Sequence, residues 1–173
     1  DIGLIANEPK RAKTIWFSPP YCEIRASLMV KRSERTGCDV VRRIGDADQK
    51  GLFIVSKKGS AYTLWLQENI KRATVVTEPS VNAAIRRFLE DENVHMWACL
   101  RPKLSEVLMT QTKKKESTTK MYIMNEDYTS IKQSVGCSPS RTDDEKARLC
   151  DAVLRLVRNG FVERTLKKHG VFG

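Results

Sequence analysis

The sequence predicts an α/β fold built on a mostly parallel sheet, and three observations predict it. Between residues 51 and 108, apolar runs of strand length alternate with segments of helical length. That alternation is the mark of β-α-β units joined by right-handed crossovers. Within it, Val81, Ala84, Ile85 and Phe88 fall at i, i+3, i+4 and i+7, the spacing of one buried helix face. Residues 110–120, Thr-Gln-Thr-Lys-Lys-Lys-Glu-Ser-Thr-Thr-Lys, are too polar to pack and separate this stretch from the last third of the chain.

In order along the chain, Ile2 to Ala6 is apolar and reads as a buried strand end, with a turn at Asn7-Glu8-Pro9 and a basic segment from Lys10 to Lys13. Phe17-Ser18-Pro19-Pro20-Tyr21 is extended, because each proline disfavours helix in the residue before it. Ala26–Val30 is a strand, and Asp39–Ile44 forms one or two helical turns stopped at Gly45. A second strand runs from Gly51 to Ser56, and Lys57-Lys58-Gly59-Ser60 turns it into a helix from Ala61 to Ile70. Ala73–Val76 is a third strand. The helix from Glu78 to Leu89 comes next, with Pro79 suited to its first turn. Val94–Cys99 is a fourth strand, and Arg101-Pro102 opens a short helix through Leu108. Beyond the polar segment come extended pieces at 121–124 and 129–135. A helix from Asp143 to Asn159 then has acids in its first turn, Gly160 past its end, and a buried stripe of Ala147, Cys150, Val153, Leu154 and Val157. A last helix covers Phe161 to His169, and no internal repeat is present.

Composition narrows the function classes. The chain has 173 residues, 40% hydrophobic and 30% charged, as a globular domain does. No run approaches the ~18 apolar residues of a membrane helix. A net charge of +10 raises nucleic acid as a partner, but the basic pairs are scattered and none is interleaved with aromatics, as a base-stacking platform requires. The five cysteines are widely spaced, with no C-x-x-C, and His95 and His169 have no second ligand at metal spacing. Neither a metal site, nor a cofactor, nor a disulfide framework is expected. No signal peptide is visible, and the chain opens inside a strand, as though upstream residues were missing.

Two features suit an anion. Arg11 follows a strand that breaks into a loop, and a guanidinium offers paired N–H donors to a carboxylate. Gly59-Ser60-Ala61 is a strand-to-helix turn, where the first N–H groups of a helix carry partial positive charge. It is not a phosphate-binding P-loop, since the G-x-x-x-x-G-K-S/T spacing is absent.

These stretches together resemble family 3 of the extracellular solute-binding proteins, the substrate-binding type of ABC transporters. The family's "D-hydrophobic", "ERA-hydrophobic" and "FS-x-P-Y" elements are similar to Asp1, Lys10-Arg11-Ala12-Lys13 and Phe17-Ser18-Pro19-Pro20-Tyr21. Its "strand, G-S/T, helix" turn resembles Gly59-Ser60, and its "x-S/T-x-x-EA" strand and helix resemble residues 73–89. Asn93 to Leu104 resembles its "G-x-x-D-A" strand, and residues 157–171 its closing helices. The match runs over nearly the whole chain.

The resemblance implies a periplasmic-binding-protein-like fold of two lobes, with a mostly parallel sheet in lobe 2 and lobe 1 incomplete by an N-terminal truncation. Residues 1–26 would be a remnant of lobe 1 and the first crossing, 27–123 lobe 2, and 124–173 the return crossing and closing helices. It further implies non-catalytic binding of a small anionic, amino-acid-like or carboxylate solute in an interlobe cleft, by Arg11, Gly59, Ser60, Ala61 and Arg101. The place that holds an amine in amino-acid binders falls at Leu100, which cannot pair with an ammonium group, and Arg101 beside it suits an acid. ABC-transporter membrane subunits are the implied partners, and the location is periplasmic or extracellular. Two alternatives remain open: a truncated fragment without ligand, and a dehydratase-type enzyme on the same scaffold.

Overall fold

The computed structural model describes residues 1–32, 41–113 and 120–171. Its elements in chain order are β1 (Ile2–Ala6), a 3-10 turn (Arg11–Lys13), β2 (Trp16–Phe17), β3 (Cys22–Lys31), α1 (Ile44–Ala47), β4 (Phe53–Lys57), α2 (Ala61–Asn69), β5 (Thr74–Glu78), α3 (Val81–Glu90), β6 (Met96–Leu100), α4 (Arg101–Lys113), β7 (Met121–Ile123), β8 (Thr129–Cys137), α5 (Asp143–Arg158) and α6 (Phe161–Lys168). The chain forms two compact units, one of Arg25–Ser130 and one of Asp1–Ile24 with Ile131–Gly173. It passes between them within β3 and returns within β8.

The larger unit is the α/β body that the alternation predicts. β4 pairs in parallel with β5 on one side and with β6 on the other. β3 pairs antiparallel with β6, Ala26 to Val30 against Leu100 to Met96, and β7 pairs antiparallel with β3. Parallel neighbours need a crossover, and α2 and α3 supply the two. The core is packed from fully buried Leu28, Ile54, Leu66, Phe88, Met96, Trp97, Leu104 and Met124. On α3 the predicted stripe turns inward, with Ala84 and Phe88 at 0% exposure and the Phe88 ring 6.3 Å from that of Trp97.

In the smaller unit β8 lies between β1 and β2, antiparallel to both: Cys137 faces Ile2 on one side and Trp16 on the other. α5 starts with a full capping box, the Thr142 hydroxyl accepting from the Glu145 N–H and the Glu145 carboxylate accepting from the Thr142 N–H. Gly160, at φ 73°, makes the left-handed break between α5 and α6.

Several local expectations are corrected. Ile2–Ala6 is a strand but not a buried one; Ile2 and Leu4 are 65% and 70% exposed, because a strand sends alternate side chains to opposite faces. Ile44 opens α1 instead of closing a helix, since the Asp46 carboxylate accepts the N–H groups of Arg42 and Arg43 and nucleates the turn after them. Residues 39 and 40 of that expected helix lie outside the described residues. Glu78 ends β5, Pro79 is not in a helix, and Ser80 caps α3 by accepting the Ala83 N–H. Residues 110–113 are the last turn of α4, not loop; of the rest, Lys120 has no regular structure and 114–119 lie outside the described residues. On α5 only Val153 of the expected stripe is buried, and Ala147 and Val157 are exposed.

Candidate functional site

The site is built at the carboxyl ends of the parallel strands in the larger unit. β4 and β6 run in register there, Val55 beside Trp97, so Lys57 and Cys99 end up near each other at the same edge. After β4 the chain reverses through Lys58-Gly59. Gly59 takes φ +69°, a conformation that L side chains rarely adopt, and Ser60 then leads into α2.

Hydroxyl groups lock this turn from beneath. Thr63 Oγ1 donates to the Lys57 carbonyl at 2.7 Å, and Ser60 Oγ lies 2.7 Å from Thr63 Oγ1. Buried Ser56 Oγ reaches the same Thr63 oxygen, and the carbonyl of Ala98 on β6 at 3.4 Å. The Thr63 and Leu64 N–H groups bond to the Ser60 carbonyl, both at 3.0 Å. The N–H groups of Ala61 and Tyr62 precede every helical acceptor in α2, as the first N–H groups of a helix do. The Ser60 hydroxyl therefore serves the turn, while the backbone carries the positive end.

α4 starts directly after β6, so Arg101 stands at the same edge. Its guanidinium is turned onto residues 124–127. Nε donates to the Asp127 carboxylate and an Nη donates to the carbonyls of Met124 at 2.9 Å and Asn125 at 3.1 Å. Arg25 holds the other Asp127 oxygen at 3.5 Å. Ser27 Oγ bonds the Met124 and Glu126 carbonyls, so the whole 124–127 segment is pinned.

The buried side chains packed about Tyr62, in the first turn of α2, are aromatic or neutral. The Cys99 thiol lies 3.8 Å from Tyr62 Oη, Tyr128 Oη donates to the Tyr62 carbonyl at 3.5 Å, and the rings of Tyr128 and Trp65 are 5.1 Å apart. Burial pushes the Tyr62 and Tyr128 phenols and the Cys99 thiol above their ordinary values. Lys103 and Lys57 are close enough to oppose that shift at Cys99 without reversing it. All three groups stay protonated at neutral pH, which suits a packing role and not a nucleophile or base.

Arg11 belongs to the smaller unit, on the 3-10 turn. Its guanidinium donates to the Ala6 carbonyl at 3.4 Å, and Nε is 3.8 Å from the Glu8 carboxylate. Among the described residues no group of three His, Cys, Asp or Glu is placed to hold a metal ion, and no helix is long and apolar enough to cross a membrane. Of the residues the sequence reading did not single out, Ser56 and Thr63 left a trace, hydroxyls at 56, 60 and 63 around one turn. Asp127 left none, being 26 residues from Arg101.

No family model matches the chain, and no curated protein sequence does. Solved structures are similar to it. A binding component of an ABC transporter from Wolinella succinogenes, complexed with lysine, matches with a TM-score of 0.76 at 18% identity, over 97% of this chain and 69% of that one. An amino acid ABC transporter substrate-binding protein from Streptococcus pneumoniae, bound to L-arginine, matches at 0.74 and 16% identity, over 98% and 68%. An ancestral amino-acid-binding protein, a precursor of cyclohexadienyl dehydratase, matches at 0.74 and 12%, over 95% and 65%. At these identities the likeness is one of fold: the chain has the periplasmic-binding-protein fold and spans about two thirds of the length of these structures.

Proposed function

We propose that the chain is a solute-binding polypeptide of the kind that serves ABC importers, working outside the cytoplasmic membrane and delivering to membrane subunits of the transporter, without catalysis. The solute in this reading is small and carboxylate-bearing. The observation that carries it is the meeting of two helix starts, at Ser60-Ala61 and at Arg101, on neighbouring parallel strands, at an edge that also holds Lys57 and Lys103. Ligands of open parallel sheets sit beyond the carboxyl ends of the strands, where such starts converge. Proteins that share the fold are named for binding amino acids, which supports the class of ligand without choosing among its members.

Each charge-assisted hydrogen bond to a carboxylate would contribute about 1.5–3 kcal/mol. Arg11, on the smaller unit, is tested separately: Arg11→Ala is expected to weaken binding by about one to two orders of magnitude. The deciding variant is Ala61→Pro. Proline is tolerated at the first helical position and removes only an N–H that has no helical partner. Calorimetric titration of glutamate, succinate, lysine and arginine against wild type and both variants tests the reading. Binding of an acid by wild type, lost in Ala61→Pro at unchanged melting temperature, is the expected result. Absence of binding to every member, or equal binding by both variants, would overturn it.

A further inference from the structure

His95 closes the amino end of the β4–β6 pair with its side chain. The parallel register runs from Ile54 beside Met96. One residue earlier, the His95 backbone N–H donates to the Phe53 carbonyl at 3.1 Å, and the Phe53 N–H donates to His95 Nδ1, also at 3.1 Å. A ring nitrogen thus stands where a backbone carbonyl ordinarily completes a ladder. The imidazole stacks on the Phe53 ring, centroids 6.2 Å apart at 23°.

This contact has one protonation state in which it exists. Nδ1 accepts a hydrogen bond only while it carries no proton, so the imidazole must be neutral, with its hydrogen on Nε2. The surroundings favour that state. From β3, the Lys31 backbone N–H donates to the His95 carbonyl at 3.0 Å, and the Lys31 ammonium, held by the Asp91 carbonyl at 2.9 Å and 5.0 Å from the Phe88 ring centroid, disfavours a second cation. From the turn after α3, Asp91 pulls the other way, but Arg87 at 3.6 Å and the Asn93 N–H at 2.9 Å already engage its carboxylate. Glu92 acts on Lys31 from the same turn, and Phe53 of β4 brings no charge. Burial first, and then Lys31, hold the His95 pKa below the ordinary imidazole value, with Asp91 opposing.

We propose that His95 is a proton-operated latch on the sheet of the larger unit, closing β4 against β6 at Phe53 when neutral and releasing that end when protonated. The sign comes from linkage. A base whose pKa is lower folded than unfolded takes up its proton on unfolding, so its stabilisation is complete above the unfolded value of about 6.5. It is lost as pH falls below that value towards the lower folded pKa.

The sequence has two histidines, which makes the test direct. Long-range proton–nitrogen NMR of the wild-type protein between pH 8 and 4.5 tracks His95 against His169. The expected result is an Nε2–H tautomer at His95, a midpoint below the ordinary imidazole value of about 6.5, and a Phe53 amide resonance that moves with the His95 midpoint. In His95→Asn, whose side-chain oxygen can accept the same N–H but does not titrate in this range, the Phe53 amide is expected to be flat with pH. A Phe53 amide indifferent to His95 protonation, an Nδ1–H tautomer, or a His95 midpoint at or above about 6.5 overturns the proposal. These wild-type spectra decide it even if His95→Asn fails to fold.

Discussion

Ser18 and Val135 exchange two hydrogen bonds: the Ser18 N–H donates to the Val135 carbonyl at 2.9 Å, and the Val135 N–H donates to the Ser18 hydroxyl at 3.1 Å. The hydroxyl in turn donates to the Pro19 carbonyl at 2.8 Å. Pro19 and Pro20 have no N–H, so the Phe17-Ser18-Pro19-Pro20-Tyr21 segment cannot continue the ladder that Trp16 and Phe17 form with β8. The serine side chain fills the gap, and Tyr21 N–H resumes with the Gln133 carbonyl at 2.9 Å.

Ser18→Ala should therefore cost more than an ordinary hydroxyl deletion. Ser18 is 2% exposed and Val135 7%, so the orphaned Val135 N–H has little water to turn to. A loss of about 1–3 kcal/mol is expected in urea unfolding. Ser138→Ala, at an exposed position, serves as the control. Equal midpoints for the two variants would show that the hydroxyl contributes nothing special.

Gly136 is the second pressure point of that unit. A Cβ there would stand 2.9 Å from Ile15 Cγ2 and 3.1 Å from Ile5 Cδ1. Both neighbours belong to segments that flank β8, Ile5 on β1 and Ile15 just before β2. Gly136→Ala is expected to destabilise by about 1–3 kcal/mol, as overpacking does. The same change made in an Ile15→Ala background should cost less than in wild type; strict additivity of the two would sink the steric account.

Asp48 organises the turn between α2 and β5. Its carboxylate accepts the N–H groups of Lys71 at 3.1 Å, Arg72 at 2.6 Å and Ala73 at 2.8 Å. Burial alone would raise its pKa, but the three N–H groups and the Arg72 charge outweigh it, and the net shift is downward. A carboxyl with a depressed folded pKa stabilises fully above its unfolded value of about 3.9, and that contribution is lost as pH falls through the folded pKa. Asp48→Asn should thus be less stable than wild type at pH 7, by about 1 kcal/mol or more, with the gap closing below pH ~4. A gap that stays constant down to pH ~2.5 would count against the carboxylate as its source.

What the sequence determined by itself is the order and kind of the elements in the larger unit. Those depend on local periodicity, which a reading of neighbouring residues captures: the Ala84–Phe88 stripe of α3 turns inward, and strand alternates with helix from β4 to α4. The turn at Gly59 was legible for the same reason, a glycine between strand and helix; its left-handed φ came from the structure. Boundaries were not, because single side chains move them: Ser80 shifts the start of α3, and Asp46 makes a helix begin at Ile44. Only the tertiary structure decided which face of β1 meets solvent, since Ile2-Gly-Leu-Ile-Ala6 is apolar throughout and no alternation marks a side. It also decided what each site residue does with its polar atoms. Arg101 meets Asp127 across 26 residues, Ser60 turns its hydroxyl to Thr63, and His95 lends its ring to Phe53 across 42. The Arg101–Asp127 and His95–Phe53 partnerships join residues that only the tertiary fold brings together, and no spacing along the chain records them.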